Sequence, residues 1–114
     1  VLFRSGDAYR NTGDYRTASE YYNKAMDIEF DVYAALGLAL ICKGEGRYEE
    51  AAERLQALIN GDPRNFRFYI DLADCFIKMN QKARALETLK NVSHYGVRSS
   101  AISDMISRLE REAL

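Results

Sequence analysis

Small side chains return along this chain at a fixed interval, and that interval limits the possible fold more than any other feature. Gly6, Ala39 and Ala73 are spaced by 33 and 34 residues, and Ala18, Ala51 and Ala85 keep the same two spacings. Two markers in one register describe repeated supersecondary units, each too small to bury its apolar face alone and so obliged to stack. The third unit reads Tyr69-x2-Leu72-Ala73-x2-Phe76, a turn at Asn80, then Ala85-x3-Leu89-x2-Val92. The second reads Ala35-x2-Leu38-Ala39-x2-Cys42, a turn at Gly46, then Ala51-x3-Leu55-x2-Leu58, closed by Asp62-Pro63. The first reads Gly6-x2-Tyr9, a turn at Gly13, then Ala18-x3-Tyr22-x2-Ala25. Spacings of three and four on both sides of each turn are those of two amphipathic helices. Only Gly or Ala lets two helix backbones approach closely, so Gly6, Ala39 and Ala73 are expected to face Ala18, Ala51 and Ala85. Gly13, Gly46 and Asn80 are expected at positive φ in the turns, where Gly and Asn are tolerated best.

The pattern resembles the tetratricopeptide repeat family, W-x2-L-G-x2-Y, then A-x3-F, then Pro at the repeat boundary, over about residues 6 to 97. The resemblance implies an all-α fold, a right-handed superhelix of three antiparallel helix pairs, with repeats at about 1–30, 31–63 and 64–97. In that family the concave wall comes mainly from the first helix of each pair, helix A. The chain departs from the family in having no Trp at the first position, and Phe30 stands where the boundary Pro is expected. Residues 98–114 leave the pattern. There Ile102, Met105, Ile106 and Leu109 form one apolar stripe opposite Ser103, Asp104, Ser107, Arg108 and Arg111, which predicts a C-terminal capping helix with Ser99 or Ser100 as its N-cap.

The opening run Val1–Ser5 fits the register poorly, with Ser5 where a large apolar residue is usual. It reads either as an in-frame translation of a sequencing-adapter end or as a degenerate first helix. Both readings describe a domain truncated at its N-terminus, a fragment of a longer chain.

Composition narrows the chemistry. At 114 residues and 47% hydrophobic content the chain is one domain rather than two. Sixteen Lys+Arg against seventeen Asp+Glu leave a net charge of −1, which supplies little phosphate neutralisation and argues against nucleic acid as a partner. No apolar run approaches the ~20 residues that cross a bilayer, so no membrane insertion is expected of this segment. Cys42 and Cys75 lie in apolar helical runs and are expected buried and reduced; with His94 they are too few for structural zinc, and no metal or cofactor is expected. The sequence holds no GxSxG, no glycine-rich phosphate loop and no HExxH, so no catalytic residues are expected and the protein is read as not an enzyme. Glu49, Glu50 and Glu53, beside Arg54, read as a solvated outer face, Asp71 and Asp74 as an ion-pair or solvation feature, and His94 as a partner for the carbonyls ending its helix. Localisation stays open in a chain that does not begin with Met, with a cytoplasmic setting as the working expectation.

The family's geometry assigns a groove, and its residues follow from the markers. The first A helix offers Asp7, Arg10 and Asn11, with Phe3 beside them; the second offers Tyr33, Leu36, Leu40 and Lys43; the third offers Arg67, Ile70, Asp74, Ile77 and Lys78. Four cations and two anions surround five apolar side chains, the make-up of a protein-binding surface. The resemblance also brings a two-carboxylate clamp that grips chaperone C-termini, but its positions here hold Phe3, Asp7, Gly37, Arg67 and Asp71, of which only Arg67 conforms. The expected function is therefore a non-catalytic scaffold that holds a peptide or amphipathic helix of a protein partner in its groove. The alternatives are a self-association domain and, with less support from charge, single-stranded RNA binding.

Overall fold

A computed structural model describes residues 2–112; the sequence readings on Val1 and on the last two positions of the cap fall outside these. Among the described residues there are seven α-helices, one 3₁₀ turn and no strand: α1 (Leu2–Asn11), α2 (Tyr15–Ile28), α3 (Val32–Gly44), α4 (Tyr48–Gly61), α5 (Phe66–Lys78), α6 (Lys82–Asn91), the turn Val92–Tyr95, and α7 (Ser100–Glu112). The chain divides into two compact halves, one ending at Arg54 and one beginning at Leu55, the division falling inside α4.

The repeat shows most clearly in its turns. Asp14, Arg47 and Gln81 each donate a backbone N–H to the carbonyl five residues back, on Tyr9, Cys42 and Phe76, at 2.9, 2.8 and 2.8 Å. The preceding Gly13, Gly46 and Asn80 donate to Arg10, Lys43 and Ile77 at 3.0, 3.1 and 2.9 Å. This paired bonding is the Schellman stop, which satisfies the last carbonyls of a helix and needs a left-handed residue at its centre. Gly13 (φ 85°), Gly46 (φ 80°) and Asn80 (φ 59°) supply it, as the sequence pattern predicts. Helix starts are capped by short polar side chains: Asp14 accepts from Thr17 N–H, Asp31 from Tyr33 and Ala34 N–H, and Asn65 from Arg67 N–H.

In the first half, α1 packs on α2, α2 on α3, and α1 also touches α3. Its buried cluster is Ala18, Tyr22, Ala25, Ala34 and Ile41, with Leu2, Phe3, Tyr15, Met26 and Leu38 packed against it. Leu2 and Phe3 thus share the core, whatever the origin of the opening run. In the second half, α5 packs on α6 and α6 on α7. Phe68, Leu72, Cys75, Phe76, Leu89 and Val92 are all buried there. Ala18, Ala39, Ala51, Ala73 and Ala85 have no exposed surface, as their register demands.

The tail helix meets its prediction. Ile102 and Leu109 are buried, Met105 and Ile106 half-buried, and Ser103, Asp104, Ser107, Arg108 and Arg111 exposed. Ser103 N–H donates to the Ser99 carbonyl at 3.1 Å, which makes Ser99 the N-cap, and Glu112 pairs with Lys82 of α6 at 3.1 Å. His94 lies in the last turn of the helical segment, as expected, but does not take its carbonyls. It stands exposed in the 3₁₀ turn, while the carbonyls are taken by neighbours: Ser93 Oγ donates to Lys90 O at 2.7 Å and Gly96 N–H to Ser93 O at 3.1 Å. Gly96, at φ 72°, makes that closure possible.

Candidate functional site

All twelve expected groove residues lie on α1, α3 and α5, and none is buried. The positions interleaved with them, Ala34, Gly37, Ile41, Phe68, Leu72 and Cys75, are buried, so each A helix turns one face inward and leaves the other open. On α3, Leu36, Leu40 and Lys43 are half-buried and Tyr33 is exposed. On α5, Ile70, Asp74 and Ile77 are half-buried, with Arg67 and Lys78 exposed at the two ends.

On α1 the structure supplies a group that the sequence pattern does not reveal. Tyr22, from α2, has no exposed surface, yet its hydroxyl reaches the α1 wall. There it donates to Asp7 Oδ1 and accepts from Arg10 Nε at 3.0 Å, while Arg10 Nη2 stands 3.6 Å from Asp7 Oδ1. A buried phenol needs such partners, because leaving its hydroxyl unpaired would cost about 1–3 kcal/mol. Burial, reinforced by the bond to Asp7 and opposed by Arg10, pushes the Tyr22 phenol up to about 12, so it stays a neutral donor throughout the physiological range. Asp7 and Arg10 keep 40% and 25% of their side-chain surface while Tyr22 holds them from behind. Asn11, at the end of α1, is exposed.

Room for the Tyr22 ring comes from two glycines. A Cβ at Gly6 of α1 or at Gly37 of α3 would overlap the ring, so the phenol is clasped between two bare backbones. The close approach expected between Gly6 and Ala18 is thus made with Tyr22, one helical turn further along α2. The sequence signal was present, since Tyr22 fills the A-x3-F marker and glycine sits at both contact positions. What no one-dimensional spacing reveals is that a ring and two glycines meet.

Three of the clamp positions are also engaged. Phe3 stacks on Tyr33 with ring centroids 5.0 Å apart, Asp7 accepts from Tyr22, and Gly37 backs the Tyr22 ring. Cys42 and Cys75 are buried and outside any disulfide, as expected. Glu50 pairs with Arg47 and, at 3.6 Å, with Arg54, consistent with a solvated charged face. Among the described residues no group of three or more His, Cys, Asp or Glu could hold a metal ion, and no helix is long and apolar enough to cross a membrane.

A cleft of about 480 Å³ lies in the C-terminal half, lined mainly by Gln56, Asn60, Tyr69, Asn91, His94 and Tyr95. Tyr69 donates its hydroxyl to the Pro63 carbonyl at 2.7 Å, tying α5 to the loop before it, and burial raises its pKa.

Family models described as Tetratricopeptide repeat match residues 43–109 and residues 1–32. No curated protein matches the chain. Among solved structures, the Yersinia enterocolitica type III secretion chaperone SycD, in complex with a peptide of the translocator YopD, is similar at TM-score 0.82 and 17% identity, covering 99% of this chain and 92% of that one. PcrH, from Pseudomonas aeruginosa, in complex with the chaperone binding region of PopB, gives TM-score 0.76 at 18% identity over 96% and 90%. The TPR2AB domain of yeast Sti1 in a pHSP90 complex gives 0.86 at 18% over 98% and 46%. Three turns of one design, alanines buried in register and a family model spanning more than half its length make this chain a member of the tetratricopeptide repeat family.

Proposed function

We propose that this chain is a non-catalytic protein-interaction module that holds a peptide or an amphipathic helix against the open faces of its A helices. The observation that carries this reading is the exposure pattern. Leu36 and Leu40 on α3, and Ile70 and Ile77 on α5, each remain partly open to water while their neighbours on the same helix are buried. Apolar side chains kept in that state give a partner's Leu, Ile or Phe anchors about 25 cal/mol for each Å² they bury together. Solved relatives of the same fold are complexes with a translocator peptide, a chaperone binding region and pHSP90, which supports a peptide as the ligand class.

Asp7, held by Tyr22 at a clamp position, repels a carboxylate, so chaperone C-terminal tails are not the ligand. The residues assigned to the wall are Asp7, Arg10, Asn11, Tyr33, Leu36, Leu40, Lys43, Arg67, Ile70, Asp74, Ile77 and Lys78. The test is affinity capture with the intact chain and with Leu40→Asp. Proteins retained by the first and lost by the second identify wall ligands; an unchanged set overturns the reading. Light scattering on the same samples reads self-association directly.

A further inference from the structure

Large apolar side chains stand in water where α2 hands over to α3. Ile28 is 75% exposed and Phe30 69%, while Tyr33, at the start of α3, belongs to the groove wall. Single exposed apolar residues are ordinary, but Ile28 and Phe30, separated by one residue, put apolar bulk at a single turn. The turn itself does not require them. The equivalent positions of the next junction, 33 residues on, hold Gly61 and Pro63 in place of Ile28 and Phe30, and that junction passes from α4 to α5 without apolar bulk.

The patch has a sign. Asp27, Glu29 and Asp31 alternate with its apolar members, and among the described residues none of the three is joined to a cation. Asp31 uses one oxygen to cap α3. The nearby cations are placed over rings, Arg4 over Phe3 and Lys24 over Tyr21. Three acids around exposed apolar side chains attract basic groups and disfavour acidic ones.

We propose that this corner is a second docking surface, separate from the groove wall, and that it takes a short segment of a partner protein in which apolar anchors are flanked by Lys or Arg. Ile28 and Phe30 supply the contact area, and Asp27, Glu29 and Asp31 set the charge preference. The surface works whether or not the wall binds a peptide.

Two fluorescent peptides test it, sharing the core Leu-Phe-Ser-Gly-Leu and flanked on both sides by Lys-Lys or by Glu-Glu. Against the intact chain, the Lys-flanked peptide is expected to bind about tenfold or more tightly than the Glu-flanked one, and to weaken as salt is raised. The double variant Ile28→Ser/Phe30→Ser, whose altered side chains are exposed and whose melting curve is expected to match the parent, loses that binding. Leu40→Asp, on the wall, keeps it. Equal binding of both peptides, binding of neither, or loss in Leu40→Asp with retention in the double variant overturns the proposal. So does a concentration-dependent dimer abolished by the double variant, which would assign the patch to a second copy of the chain.

Discussion

The first and third helix pairs solve one packing problem with different residues. Four positions after the buried alanine of the B helix, the third pair has Leu89 and the first has Tyr22, both without exposed surface. Leu89 belongs to a crossing whose A-helix partner position is Ala73. The crossing of the first pair has Gly6 there, and Gly37 of α3 on the other side, because a phenol ring needs both spaces. Leucine in this site ends at its own methyls. Tyrosine continues through the helix layer and delivers a hydroxyl to Asp7 and Arg10. A core position has become a support for the surface in one pair and stayed a core position in the other.

The largest test of that contrast is Tyr22→Ala, which empties the space between two glycines that cannot fill it and is expected to cost about 3–5 kcal/mol in a denaturant titration. Next come overpacking changes. Gly6→Ala and Gly37→Ala drive a methyl into the Tyr22 ring, while Ala85→Leu and Ala51→Leu crowd buried alanine positions, each at about 1–3 kcal/mol or more. The comparison sharpens in Gly6→Ala combined with Tyr22→Leu, which makes the first crossing resemble the third; the pair is expected to cost less than the sum of the single changes. Strict additivity would mean that the ring and the glycine do not share a space.

Tyr22→Phe keeps the ring and removes only the hydroxyl, for about 1 kcal/mol, and it alters the alkaline limb of stability. The folded phenol holds its proton up to about 12 against an ordinary 10.0, so the unfolded chain releases that proton first. The contribution is complete below pH 10 and is lost as pH rises toward 12. Melting temperatures at about pH 9 and about pH 11 should therefore fall more steeply for the parent than for Tyr22→Phe. The smallest effect is expected at Glu50→Ala, within about 0.5 kcal/mol, since its pairs with Arg47 and Arg54 lie in water.

Features set by spacing along the chain were legible in advance. The αL turns at 13, 46 and 80, the zero-exposure alanines and the two-faced α7 all follow from a local pattern of 3.6-residue helices and short stops. What escaped was set by contacts between helices. The reach of Tyr22 across α1 depends on two glycines 31 residues apart both meeting one ring, and periodicity carries no such information. His94 does stand in the last turn of the 3₁₀ segment that continues α6, but the closing bonds there are made by Ser93 and Gly96. Phe30 stood out only as a missing proline, and its exposure gives that departure a physical meaning.

The uniform stops at Gly13, Gly46 and Asn80 also make the chain divisible. Excising residues 47–80 would set Gly46 directly before Gln81, whose N–H would then find the Cys42 carbonyl at the place Arg47 now occupies. The junction would keep the backbone hydrogen-bond pattern of a native stop. Shortening or lengthening such a protein by whole units therefore requires no new loop to be invented, only the insertion or removal of gene segments cut at these seams.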